Sequence, residues 1–203
     1  MYDLKLSNIP LINLRMNFHN LFLTICSKKF YDQVNDSSKP IELPLMIWGG
    51  MPDALFTLLL QQILTGAESY ISGAIFTECG ERGILNDEIM KKINNPFLLG
   101  GHSTVNNFYN KLPALVDSRL ELKKQNIALW NQVVQFYKEI RNPIFHGNEI
   151  RSQHIEGIYS SFVLIAEVYD WIDSWHSIET ALYPGATNLS NVKIKFQPQW
   201  KAL

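Results

Sequence analysis

The segment "EIRNPIFHG", Glu139 to Gly147, sets Arg141, Asn142 and His146 around a proline. These residue types can do phosphate chemistry together. Arginine keeps its charge at all ordinary pH values, and its planar fork of N–H donors matches two phosphate oxygens. Histidine, with an ordinary pKa of about 6.5, serves as acid or base near neutrality. The Asn142 amide adds a neutral donor and acceptor to orient a substrate or the imidazole. Cutting an RNA strand without a metal needs such a set. One group takes the 2′-hydroxyl proton, one protonates the leaving 5′-oxygen, and a cation stabilises the charge on the phosphorane.

Spacing alone recurs by chance, so the surrounding elements decide its value. Pro143 lacks the N–H that would continue a helix and disfavours a helical Asn142, which predicts that the long helix stops at about Arg141. Asn142 then caps a fresh turn that Gly147 soon ends. In an unbroken helix, residues five apart lie about 140° round the axis, so a break is what would bring Arg141 and His146 to one rim. The plain alternative is a helix end, with Arg141 against the last carbonyls and His146 filling a turn.

The rest of the chain reads as helices. One is expected from about Leu11 to Val34, followed by an extended connector through the Gly-Gly at 49–50. Pro52 and Gly80 bracket a second helix, whose small residues Gly66, Ala67, Ser69, Gly73 and Ala74 predict a close neighbour. Asn86 and Ser103 are N-cap candidates for two short peripheral helices, "DEIMKKIN" and "TVNNFYNKL". A helix from about Leu120 to Arg141 carries the stripe Ile127, Trp130, Val134 and Tyr137. The last, from about Ser152 to Ser177, carries Ile155, Ile158, Phe162, Ile165, Tyr169 and Ile172. The expected fold is all-α: an antiparallel bundle of four to five main helices over residues 1–177, with its motif-bearing core at 52–177. Residues 178–203 form an extended tail in which "VKIKF" alternates as a short strand would.

"RNPIFHG", between the last two long helices, resembles the arginine-asparagine-x-x-x-histidine signature of the HEPN family, the higher eukaryote and prokaryote nucleotide-binding domains. The similarity covers about residues 52–177. It implies an all-helical dimer in which the signature of each subunit lines a shared cleft, with Arg141, Asn142 and His146 as the catalytic residues. Many such proteins are metal-independent ribonucleases of toxin, defence or RNA-processing systems. RNA, a second copy of the chain and an antitoxin or regulatory protein are the partners this implies. Asn148 stands where one toxin subgroup has a tyrosine, so that subgroup is not assigned. Two other readings stay open: a catalytically silent HEPN-like module that dimerises or binds a nucleotide or partner, and an unrelated helical bundle.

Supporting residues follow from position. Glu68 lies mid-helix on a stripe with Leu64, Ile71 and Ile75, half buried and in want of a partner; it either pairs with Arg141 or forms a purely structural salt bridge. His154 either faces the same cleft or is solvated early in the last helix. Lys138 and Arg151, with Lys123 and Lys124, flank the motif where they can hold an RNA backbone or simply be solvated. His19, His102 and His176 have no partner at ligand or triad spacing and read as packing or surface residues.

A length of 203 residues with 46% hydrophobic content supports one substantial core, and a net charge of −1 confines any nucleic-acid contact to a local patch. Cys26 and Cys79 suit neither a disulfide framework nor a zinc site, which fits a reducing compartment. No secretory leader and no run of about 18 apolar residues is read, so a cytoplasmic protein with no membrane contact is expected. There is no glycine-rich phosphate loop, nucleophile elbow or catalytic carboxylate pair, and neither cofactor nor metal is expected.

Overall fold

The computed structural model describes residues 53–147 and 155–176, together with the helical residues Asn13, Leu14 and Asn17. The fold is all-α, with no strand among the described residues. Helix α1 spans Asp53–Glu81. Its Leu60, Ile63, Leu64, Ala67, Tyr70, Ile71, Ala74 and Ile75 recur at three- and four-residue steps and are all buried. They pack on the last described helix, α7, Ile155–Trp175, where Phe162, Ile165, Tyr169 and Ile172 are buried as their spacing requires. Val163, Leu164, Ala166 and Val168 are buried too, so α7 is enclosed on more than one face. The small residues of α1 allow this approach: a Cβ on Gly66 would stand 3.4 Å from the Tyr169 hydroxyl. Tyr70 and Tyr169 meet edge to face with ring centroids 4.6 Å apart.

Gly80 does not end α1 as expected. The helix runs through it, and Gly83, at φ +66°, makes the left-handed turn that closes it. The N–H groups of Ile84 and Leu85 then donate to the Cys79 carbonyl at 3.0 and 3.1 Å. Helix α2, Asp87–Asn94, begins where Asn86 predicts, its side chain accepting from the Ile89 N–H at 2.9 Å. Helix α3, Thr104–Asn106, is capped by Ser103 and widens into a π turn, Asn107–Lys111. This last segment is not peripheral. Tyr109 and Leu112 are fully buried in the core, because the Tyr109 ring packs edge to face on Tyr137 at 5.6 Å and its hydroxyl finds a polar partner there.

The helix expected from Leu120 is divided. A short α4, Leu122–Gln125, precedes α5, Ile127–Phe136. Asn126, at φ −146°, leaves the helical region and caps α5 by accepting from the Leu129 N–H at 3.0 Å. The buried stripe is Leu129, Val133, Phe136 and Ile140, whereas Ile127 is exposed and Trp130 and Val134 are half-buried. Of the expected stripe, only Tyr137 lies fully inside. Trp171 of α7 ties back to α4 by donating its indole N–H to Gln125 Oε1 at 2.5 Å. No helix among the described residues is long and apolar enough to cross a membrane. The helix expected at 11–34 (beyond Asn13, Leu14 and Asn17), the connector after it, Arg151, His154 and the tail at 178–203 lie outside the described residues.

Candidate active site

Pro143 does not break the rod. Arg141 and Asn142 are both helical, Asn142 at φ −64° and ψ −47°, and the chain continues as α6, Asn142–Phe145. A proline inside a helix strikes the carbonyl four residues back and donates nothing. Here the turn before it, Tyr137–Arg141, widens to a π turn, in which the Asn142 N–H donates to the Tyr137 carbonyl five residues back. The rod ends only at Gly147, φ +84°, whose N–H donates to the Ile144 carbonyl at 3.0 Å.

The motif residues therefore sit on two faces, not on one rim. Asn142 and His146 are one turn apart, linked by the His146 N–H donating to the Asn142 carbonyl at 3.0 Å. Arg141 and Phe145 share the neighbouring face, with the guanidinium carbon 4.1 Å from the ring centroid. Because the helix continues from Arg141 through Phe145, residues five apart diverge by the roughly 140° of regular helix geometry, which separates Arg141 from His146 on their own chain. Asn142, His146 and Lys138 are exposed. Among the described residues the imidazole of His146 has no hydrogen-bond or ion-pair partner.

Arg141 is held from below by α1. Its Nε donates to Glu68 Oε1 at 3.3 Å, with the two side chains only 16% and 14% exposed. The same carboxylate oxygen accepts from the Tyr137 hydroxyl at 2.8 Å. Since a hydroxyl has one proton and Tyr137 gives its own to Glu68, the 3.4 Å contact between the two tyrosine oxygens takes its proton from Tyr109. Burial pushes both phenol pKa values well above the ordinary range, and the nearby Glu68 charge pushes the same way, so both rings stay protonated donors. Arg141 also lies 5.6 Å from the centroid of the Tyr137 ring. Ion pair, hydroxyl brace and two rings fix the guanidinium in place.

No protein-family model, curated protein or solved structure matches the chain. The site is accordingly read from its own chemistry.

The structure thus brings Glu68 to Arg141 and leaves Asn142, His146 and Lys138 open on the rod. Sequence reasoning missed Tyr137, Tyr109 and Phe145 as neighbours of Arg141. Tyr137 and Phe145 are each four residues from Arg141, a spacing that sets side chains side by side; nothing in the sequence pointed to Tyr109. It also missed a pair away from the motif. His176, taken for a packing or surface residue, is buried with Nδ1 2.9 Å from Glu78 Oε1, a partner 98 positions away, and Arg82 lies 3.2 Å from the other carboxylate oxygen. A groove of about 600 Å³ between α5 and α7 is lined by residues including Gln125, Gln132, Glu167, Asp170 and Trp171, and by none of the motif. No cluster of three or more histidine, cysteine or acidic side chains suited to a metal occurs among the described residues.

Proposed function

We propose that this chain is a HEPN-type endoribonuclease that cuts RNA without a metal and works as a homodimer in the cytoplasm, in a toxin, defence or RNA-processing role and under the restraint of an antitoxin or regulatory protein. The observation that carries this reading is the attachment of Arg141 to Glu68 through Nε. Held there, the guanidinium keeps both Nη groups for a phosphate, and they have no hydrogen-bond partner among the described residues.

His146 takes the proton from the 2′-hydroxyl, and the 2′-oxygen attacks the phosphorus. The bond to the 5′-oxygen breaks as a second histidine protonates it, while Arg141 carries the phosphorane charge and Asn142 orients the reacting groups. One chain supplies a single such histidine, and its Arg141 faces away from it. A twofold partner answers both needs, since an isologous interface repeats the patch and sets one copy's arginine beside the other's histidine. Lys138 gives the strand a further cation.

A second reading, a silent dimerisation or nucleotide-binding module, draws on the same ion pair, because a largely buried Arg–Glu strut between two helices is also what shape alone demands. The test is incubation of the purified protein with mixed RNA in EDTA, with product ends examined. Strands ending in 2′,3′-cyclic phosphate and 5′-hydroxyl are expected. A dimer that leaves the RNA intact supports the silent module instead.

A further inference from the structure

We infer that the knuckle Pro96–Leu99 docks the chain on the surface of an anionic lipid bilayer; this stands apart from the ribonuclease reading and holds whether or not the chain cuts RNA. Phe97 and Leu98 are 57% and 56% exposed, the two most exposed large apolar side chains among the described residues, and they are neighbours. Of residues 94–103, all but Pro96 and Leu99 are exposed, so the pair stands on a protrusion. Its base is fastened. Asn95 caps the knuckle by accepting from the Phe97 N–H at 3.3 Å, and the Gly100 N–H donates to the Phe97 carbonyl at 3.1 Å. Gly100 and Gly101, both at φ +81°, turn the chain back, where Lys111 donates to the carbonyls of Leu99 and Gly100. Pro96 is buried and Leu99 packs on the core. The fold therefore holds two large apolar side chains out of the core on a braced turn, which marks a surface that meets a partner.

Charge selects the partner. Lys91 and Lys92 close α2 just before the knuckle, and Lys111 lies against it; residues 89–116 hold these three lysines and no acidic residue. Glu88, one turn back on α2, offsets Lys92 at 2.6 Å, which leaves Lys91 and Lys111 as the surplus. Apolar side chains framed by cations fit acyl chains under negative headgroups. An RNA strand would use the lysines but has no use for Leu98. A stable protein interface buries about 800 Å² on each side, far more than two side chains supply, whereas a fluid bilayer moulds to a small protrusion. No helix among the described residues is long and apolar enough to span a bilayer, and that is why no membrane contact is expected from the sequence; side chains seated among headgroups need no span.

The test spins the full-length protein at low salt with sucrose-loaded vesicles of phosphatidylcholine, alone or with about 30% phosphatidylglycerol. The wild type is expected to sediment with the anionic vesicles and to stay in solution with the neutral ones. Phe97→Ser combined with Leu98→Ser should weaken this binding at least tenfold and Lys91→Ala about fivefold, with urea unfolding unchanged. Phe97→Trp reads insertion directly: its added emission should be quenched by lipids with brominated acyl chains. Failure of the wild type to sediment with anionic vesicles, binding by either weakened variant equal to the wild type, or an unquenched Phe97→Trp indole would overturn the proposal. So would a smaller size in solution or weaker RNA binding for the serine pair, which would make the knuckle a contact with a second chain or with RNA.

Discussion

At the scale of single residues the site depends on one carboxylate oxygen doing two jobs. Glu68 Oε1 accepts from both Tyr137 and Arg141, and the charge it brings offsets the guanidinium where water is scarce. Glu68→Gln keeps an acceptor and removes the charge. Its expected cost in stability is about 1–2 kcal/mol, read by urea unfolding. If the ion pair positions Arg141 for a phosphate, kcat falls at least tenfold with KM little changed; an unchanged kcat beside the stability loss would make the pair a strut only. Far from the motif, Asp117 caps the turn Ser118–Leu120, accepting from the Arg119 N–H at 2.8 Å and from its guanidinium at 2.6 Å. Those bonds hold its carboxyl well below the usual range, at about 2. A carboxylate depressed by folding contributes its stability above the unfolded pKa of about 3.9 and loses it as pH falls through the folded value. An NMR titration of Asp117 should therefore show a midpoint near 2, shifting upward in Arg119→Ala; a midpoint of about 3.9 would contradict the cap.

Helices, caps and turns were legible in the sequence to different degrees, for physical reasons. Side-chain caps at Asn86 and Ser103 follow from short-range chemistry and stand where the residues put them. The apolar stripe of α7 follows from a helical repeat, and Phe162, Ile165, Tyr169 and Ile172 are buried as it requires, but Val163, Leu164, Ala166 and Val168 are buried beside them, so the burial is wider than one stripe. Where two local signals compete, tertiary contacts decide. Asn126 looks like an interior helix residue, yet it leaves the helix to cap α5, and with that boundary the buried stripe moves to Leu129, Val133 and Phe136. Replacing Asn126 by Ala should cost about 1 kcal/mol in urea unfolding with no change in the slope; no measurable loss would deny the cap. Pro143 shows the same limit. Its rule against helix interiors is sound, but a widened turn satisfies it without ending the rod, and no local pattern distinguishes the two outcomes. The burial of Tyr109 was invisible because its partners, Tyr137 and Trp171, are supplied by distant helices. Tyr109→Ala should lose about 3–5 kcal/mol, as removal of a large core aromatic does, whereas a residue at the periphery would lose far less.

For the molecule as a whole, a net charge of −1 leaves no general attraction for a polyanion, so the proposed RNA recognition has to be local and carried by the few cations beside the motif. The all-α scaffold suits that demand. Helix α1 braces the base of Arg141 through Glu68, while the rod that runs from α5 through the π turn to α6 carries Arg141, Asn142, Phe145 and His146 on adjoining faces. Because Arg141 and His146 diverge round that rod, the proposed cleavage requires a pair of chains. The most direct measurement is single-turnover RNA cleavage in EDTA by the wild-type protein, Arg141→Ala and His146→Ala, each first confirmed to be folded and of the same size in solution. Cleavage by the wild type, with either variant slower by about a hundredfold or more, is the expected result. Equal rates for all three proteins, or no cleavage by any, would contradict an active site built on these two residues.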